Sequence, residues 1–261
     1  MDLSIVIPVA DDLRIKECVE SVDEDVEIIV VLNGPTTDVQ NIVRQLGVNT
    51  CYLSDRNLGA ALDEGILSSE RGNVILTDSD CTFERNCIRI LYEGLREYKL
   101  AKGRIVHRKD NFMAYVLADL REFLVEGPNA YKPPLALRKS VIEDIGYYYD
   151  RDIHWVEDAE MNRRVKAKGL EVNYLPDAIV HHPSLTLSVD LRSAFRYGTG
   201  KRIGVEKGIM RGIGTHFSRL PELYRAKGLL PAAYCTLWDS AYTAGYFAQA
   251  ISNWQQATRT K

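Results

Sequence analysis

The chain has 261 residues, enough for one large domain or two modest ones. Hydrophobic residues at 46% and charged residues at 26% exclude a disordered chain, and a net charge of −3 excludes a globally basic nucleic-acid binder. Five cysteines (Cys18, Cys51, Cys81, Cys87, Cys235) without a CxxC pair fit neither a disulfide scaffold nor a zinc ribbon, so reduced thiols in a cytoplasmic setting are expected. Met1-Asp2-Leu3-Ser4 opens without a basic segment leading into a long apolar stretch, so a secretory signal is not expected.

In chain order, Leu3-Ser4-Ile5-Val6-Ile7-Pro8-Val9 reads as a strand buried on both faces, as in a parallel sheet. A helix is predicted from about Leu13 to Val22, a strand over Val26–Leu32, and a break at Asn33-Gly34-Pro35. A helix over Thr37–Leu46, a weaker strand over Asn49–Leu53 and a helix over Leu58–Ser69 follow. Asn73–Thr77 is a β-branched strand stopped by Asp78-Ser79-Asp80, and Cys87–Tyr98 is an amphipathic helix. This alternation indicates βαβ units with right-handed crossovers and a mostly parallel sheet flanked by helices.

From about residue 100 the pattern loosens. Asn111–Val125 reads as helix, and Gly127-Pro128-Asn129 and Lys132-Pro133-Pro134 mark a loop-rich patch. Lys139–Ile145 is a short helix closed by Gly146, and Val156–Lys168 is a strong one stopped by Gly169. Short strands are expected over Leu170–Leu175 and Ala178–His181, and 189–256 reads as helices separated by Gly and Pro. The division expected is 1–185 as one α/β domain, with halves 1–100 and 101–185, and 186–261 as a helical C-terminal region.

Charge is uneven along the chain. Residues 190–228 carry nine Lys/Arg against Asp190, Glu206 and Glu222, a local +6, which leaves −9 for the rest. Such a segment suits an anionic ligand or a membrane surface, or is a solvated helical face. Leu229–Ala250 is apolar but for Asp239 and several hydroxyl groups. It is too polar for a spanning helix, so a packed or homodimer-forming helix fits best, with peripheral membrane contact second.

Three groups of residues point to chemistry. Asp78 and Asp80 leave the C-terminal end of a strand, where open α/β sheets bind ligands, and two oxygen ligands there suit Mg²⁺ or Mn²⁺. Taken alone, Asp-x-Asp is also a common turn or cap. His181-His182 ends the last strand, and an imidazole there could complete a metal site or simply face solvent. Glu157-Asp158 opens a helix, which the helix dipole alone would explain, while the functional alternative makes Asp158 a general base. The chain contains neither GxGxxG nor GxxxxGK[ST].

The order and spacing of these pieces along residues 3–182 resemble an inverting glycosyltransferase of family 2 with the GT-A fold. The resemblance rests on Ser4–Val9, Glu27–Gly34 with Asp38, Asn57-Leu58-Gly59, Gly72–Asp80, Glu157-Asp158 with Arg163 and Gly169, and Tyr174–His181. It implies a nucleotide-sugar donor, a hydroxyl-bearing acceptor and a Mn²⁺ or Mg²⁺ cofactor. Pro8, Val9 and Asp11 would flank the nucleoside, with Asn33 near the base, Asp78 by the ribose and metal, and Ser79 among the nucleotide-sugar contacts. Asp80 would be the main metal carboxylate, with Asp78 beside it. His181 matches a further metal or diphosphate contact, with His182 as the alternative, and Asp158 matches the catalytic base. Two positions depart from the family: Leu32 stands where an aspartate is usual, and Leu62-Asp63 where Arg-Asn is common.

Beyond the resemblance, Phe195–Arg202 mixes cations with two glycines, which suits a mobile loop bringing Arg196, Lys201 and Arg202 over phosphates. Trp155, Glu157 and Tyr131 are the candidate acceptor residues. Two other readings are a non-catalytic nucleotide-sugar-binding module and a sugar nucleotidyltransferase, although a glycine-rich loop after the first strand is missing for the latter.

Overall fold

A computed structural model describes residues 1–259, with side chains to 253. The elements are β1 (Leu3–Val9), α1 (Ile15–Glu20), β2 (Glu27–Asn33), α2 (Thr37–Leu46), β3 (Asn49–Leu53), α3 (Leu58–Ser68), β4 (Asn73–Leu76), β5 (Thr82–Phe83) and α4 (Cys87–Gly94). Then come β6 (Leu100–His107), α5 (Phe112–Val125), β7 (Leu135–Arg138), α6 (Ile142–Ile145), α7 (Glu157–Ala167), β8 (Val172–His182), α8 (Leu187–Glu206), α9 (Leu220–Lys227) and α10 (Leu229–Arg259).

One eight-stranded sheet runs in the order β3-β2-β1-β4-β7-β6-β8-β5. The parallel pairing expected from βαβ units holds for β3-β2-β1-β4. Beyond β4 the pairs β4–β7, β6–β7 and β5–β8 are antiparallel, so the sheet as a whole is mixed. β1 is buried at every position, and its alternation serves two cores: Leu3, Ile5, Ile7 and Val9 join one cluster and Val6 the other.

Local chemistry places the flanking helices. Thr36 caps α2 through Val39 N–H, and Gly47 closes that helix at φ 66°. Asn57 caps α3 by accepting from Ala60 N–H at 3.0 Å. α3 lies close on the sheet because Gly65 has no side chain; a Cβ there would meet Val6 Cγ1 at 2.3 Å.

The sequence pattern misses β5, β6 and β7. β5 has two residues and β7 four, too short for a periodic signal. β6 is masked by Lys102 and Gly103: Lys102 is 1% exposed, and a Cβ on Gly103 would meet the Ala178 carbonyl oxygen at 2.3 Å. Conversely, the two short strands expected over 170–181 are a single strand, β8, that continues through the exposed Pro176 and Asp177.

The chain divides into two compact units. One comprises 1–106, 125–152 and 157–183; the other comprises 107–124, 153–156 and 184–261. The helical unit therefore includes most of α5 and the segment Ile153–Val156 as well as the C-terminal helices. Within it, α8 and α10 pack through glycines, since a Cβ on Gly198 would meet the Tyr242 carbonyl oxygen at 1.9 Å and one on Gly245 the Phe195 carbonyl oxygen at 1.9 Å. This corrects the expectation of a mobile loop over Phe195–Arg202. The segment is the middle of α8, and its glycines, Gly198 and Gly200, serve close backbone approach. Among the described residues, no helix is long and apolar enough to cross a membrane.

Candidate active site

The site is built at the end of β4 in the first unit. The strand stops at Leu76, and Asp78, Ser79 and Asp80 follow, all half-buried. Asp80 Oδ2 lies 3.2 Å from His182 Nε2 at the end of β8 and 3.5 Å from an Arg14 guanidinium nitrogen. Arg14 is itself steadied by Asp12, with Nε donating to Oδ1 at 2.8 Å. Burial works to raise the Asp80 carboxyl, but the bond and charge of His182 and the charge of Arg14 outweigh it and hold the group at about 2. His182 responds in the opposite sense: burial lowers its pKa, Asp80 raises it, and the net shift is upward.

Asp78, Asp80 and Cys81 offer ligand atoms within 4.8 Å of one another, a cluster that could hold a metal ion. Burial first, then the charges of Asp78 and Asp80, push the Cys81 thiol well up, which disfavours the thiolate that a sulfur ligand requires. The donors that remain are carboxylate oxygens with an adjacent imidazole. Such a set fits a hard or borderline divalent ion such as Mg²⁺ or Mn²⁺.

Asp158 lies in the first turn of α7. Its Oδ1 accepts from the Tyr149 hydroxyl at 3.3 Å and its Oδ2 from the Lys132 backbone N–H at 3.3 Å. The Lys132 ammonium bonds Asp78 Oδ1 at 2.6 Å. Burial pushes Asp158 up to about 7; Lys132 opposes the shift, and the charges of Glu157 and Asp78 add to it. Lys102, on β6, faces the same carboxylate, and burial draws its amine down to about 8 against the pull of Asp158. The arrangement joins a strongly ionised carboxylate, Asp80, to a carboxyl poised near neutrality, Asp158, within one unit.

Other candidate residues fall into different positions. His181 points to Glu84, with Nε2 and Oε2 3.0 Å apart, and is exposed; His182, not His181, is the imidazole beside Asp80. Alternation along β8 separates the two, since neighbouring strand residues face opposite ways. Pro8 and Val9 are buried in β1. Asp11 is exposed and paired with Arg56 at 2.7 Å. Asn33 is 7% exposed, and its side-chain carbonyl accepts from Asn57 N–H at 2.7 Å, so it staples two loops together. Leu62 is fully buried and Asp63 pairs with Arg151 at 2.7 Å, which gives both departures from the family pattern at that helix a packing or pairing role.

Glu157 is buried and Tyr131 half-buried, both in the sheet-containing unit. Trp155, Arg196, Lys201 and Arg202 belong to the helical unit. Trp155 is 38% exposed with φ 73°, a left-handed conformation unusual for an aromatic residue, and the Arg196 guanidinium lies 4.7 Å from its ring centroid. Arg202 pairs with Glu206 at 2.6 Å on its own helix.

Sequence reasoning passed over Arg14, Arg56, Lys102, Lys132 and Tyr149. Lys132 had the one available signal, a cation beside two prolines in a loop-rich stretch. The others carry no local signature, because their roles come from strands and loops far apart in sequence.

This architecture, a parallel β3-β2-β1-β4 half with two aspartates leaving β4, is the GT-A fold. The family model described as glycosyl transferase family 2 matches residues 4–153, more than half of the chain, and the chain belongs to that family. Solved structures agree on the fold. A mannosyltransferase from Pyrobaculum calidifontis, in complex with GDP-Man and Mn²⁺, aligns with a TM-score of 0.60 at 16% identity, covering 98% of this chain and 79% of that one. Glucosyl-3-phosphoglycerate synthase from Mycobacterium tuberculosis, in complex with Mn²⁺, UDP and phosphoglyceric acid, aligns at 0.57 with 16% identity over 80% of each chain. TarS residues 1–349 from S. aureus align at 0.56 with 14% identity, covering 97% of this chain and 74% of that one. No curated protein sequence matches the chain.

Proposed function

We propose that this glycosyltransferase moves a sugar from a nucleotide-diphosphate sugar to a hydroxyl acceptor with inversion, assisted by a divalent metal, with Asp158 as general base. The observation that carries the proposal is the pair of aspartates pushed apart by their surroundings, Asp80 at about 2 and Asp158 at about 7. A base works best when its pKa lies near the operating pH, and a metal-binding carboxylate works best fully ionised.

Asp80, Asp78 and His182 would hold Mn²⁺ or Mg²⁺, which supplies positive charge against the departing diphosphate. The exposed Asp11–Arg56 pair and the Asn33–Asn57 staple border the loops after β1 and β2, where the nucleoside of a GT-A donor would lie. Asp158 would take the proton of the acceptor hydroxyl as that oxygen attacks the anomeric carbon from behind, so one C–O bond forms as the bond to diphosphate breaks. Glu157 and Tyr131, in the sheet-containing unit, are the proposed acceptor residues. The mannosyltransferase structure with GDP-Man and Mn²⁺ supports this class of donor and metal.

A thermal-shift panel of UDP, GDP, dTDP and CDP sugars, each with Mn²⁺ and with EDTA, tests the proposal. A ligand that binds only the folded protein raises its midpoint. The expected result is a Mn²⁺-dependent shift for one nucleotide class that disappears in Asp80→Ala. A shift with no turnover towards any hydroxyl or water would favour the binding-module alternative.

A further inference from the structure

We propose that Lys132 is a positioning residue that ties the base to the donor side of the site, its ammonium holding Asp78 while its own backbone amide holds Asp158. This deepens the reading of Asp158 as the base and rests on it. The two aspartates lie 80 positions apart in sequence, on the β4 exit and on α7, and Lys132 comes from a third segment, the loop before β7. One residue thereby makes both contacts, at 2.6 Å from Nζ to Asp78 Oδ1 and at 3.3 Å from the amide to Asp158 Oδ2.

Three further features favour this role. The Lys132 side chain is only 4% exposed, so its charge acts with little screening by solvent. Pro133 and Pro134 have no N–H, which makes the Lys132 amide the only backbone donor of that tripeptide. The segment is also anchored to β6, because Gly103 N–H donates to the Pro134 carbonyl at 3.1 Å.

The groups facing Asp158 are Lys132, Tyr149, Glu157, Asp78 and Lys102. Glu157 and Asp78 are negative and Tyr149 is neutral. The Lys102 ammonium makes no hydrogen bond or ion pair among the described residues. Lys132 is therefore the cation fixed by contact, at Asp78; its amide orients the base and its charge opposes the upward push of burial. It contacts no reacting atom in this arrangement.

The test compares Lys132→Gln, Lys132→Met and Lys132→Arg in the full chain, using the donor identified by the panel above. Gln keeps a donor towards Asp78 and Met does not, so at least one neutral variant retains a bonded carboxylate; circular dichroism and thermal melting check the fold. In both neutral variants the acidic limb of the rate profile is expected to move from near pH 7 to about pH 8 or above. There kcat is expected to fall further than the donor KM rises, and Arg is expected to keep the limb near 7. An unmoved limb in Gln and Met, with kcat within about twofold of wild type, would overturn the tie. Asp158→Asn, measured alongside, separates the two failures. Full turnover there overturns the base itself, whereas lost turnover there with an unmoved limb in the Lys132 variants overturns only the tie.

Discussion

Two regions of the sheet-containing unit hold the same side chain in opposite states. At the exit of β4, Asp80 faces His182 and Arg14 and is held at about 2. At the start of α7, Asp158 faces Glu157 and Asp78 as well as Lys132 and is pushed up to about 7. Burial raises both groups, and at Asp158 it is the largest influence. What separates them is the balance: at Asp80 the contacts of His182 and Arg14 outweigh burial, while at Asp158 burial, with Glu157 and Asp78 added to it, outweighs the charge of Lys132.

The sharpest way to break this contrast is to neutralise each aspartate. Asp158→Asn is expected to lower turnover about 10²–10⁴-fold. A carboxyl raised in the folded state contributes stability that is present below its unfolded value near 4 and lost as pH rises through 7. Asn removes that loss, so at pH 8 the variant is expected to melt roughly 2–4 °C higher than wild type, with little difference at pH 4. An inactive variant that also melts lower at pH 8 would contradict the assignment.

Asp80→Asn is expected to lower turnover about 10²–10³-fold and to erase the Mn²⁺-dependent thermal shift. Its stability effect has the opposite sign. A carboxyl held below its unfolded value contributes stability above pH 4 that is lost as pH falls towards 2. Across pH 4–8 Asp80→Asn is therefore expected to melt below wild type by a nearly constant amount, while Asp158→Asn rises above wild type only as pH increases through 7.

The pH profile of the wild-type enzyme sharpens the comparison further. Asp158 is the site carboxyl poised near neutrality, so kcat/KM is expected to rise about tenfold per pH unit below 7. A limb near 4 instead would mean that the base is a carboxyl with ordinary surroundings. The smallest effect separates the adjacent histidines. His182→Ala is expected to weaken metal affinity about 10-fold, and His181→Ala, whose ring meets Glu84, to leave it unchanged by titration calorimetry.

Legibility followed chain locality. β1, β2, α2, β3, α3 and β4 could be read from apolar runs, caps and breakers, because each signal sits within one element, and Thr37–Leu46 and Asn49–Leu53 match to the residue. The dipeptide His181-His182 could be located, but its facing could not, because one residue of register along β8 decides which ring meets Asp80. Gly198 and Gly200 look like loop residues in one dimension. In three dimensions they are contact points for Tyr242 and His154, which only the packing of α8 reveals.

By itself, the sequence determined the family, the parallel half of the sheet and the placement of Asp78, Asp80 and Asp158 at the ends of elements. Apolar periodicity and helix capping act over a few residues, so they are written locally. Tertiary structure alone decided the antiparallel half, the choice of His182 over His181, the helical state of 195–202 and the linkage of Asp78 to Asp158 through Lys132. Each of these depends on groups that meet only after the chain has folded, because charge and backbone approach act over ångströms of space between residues tens of positions apart.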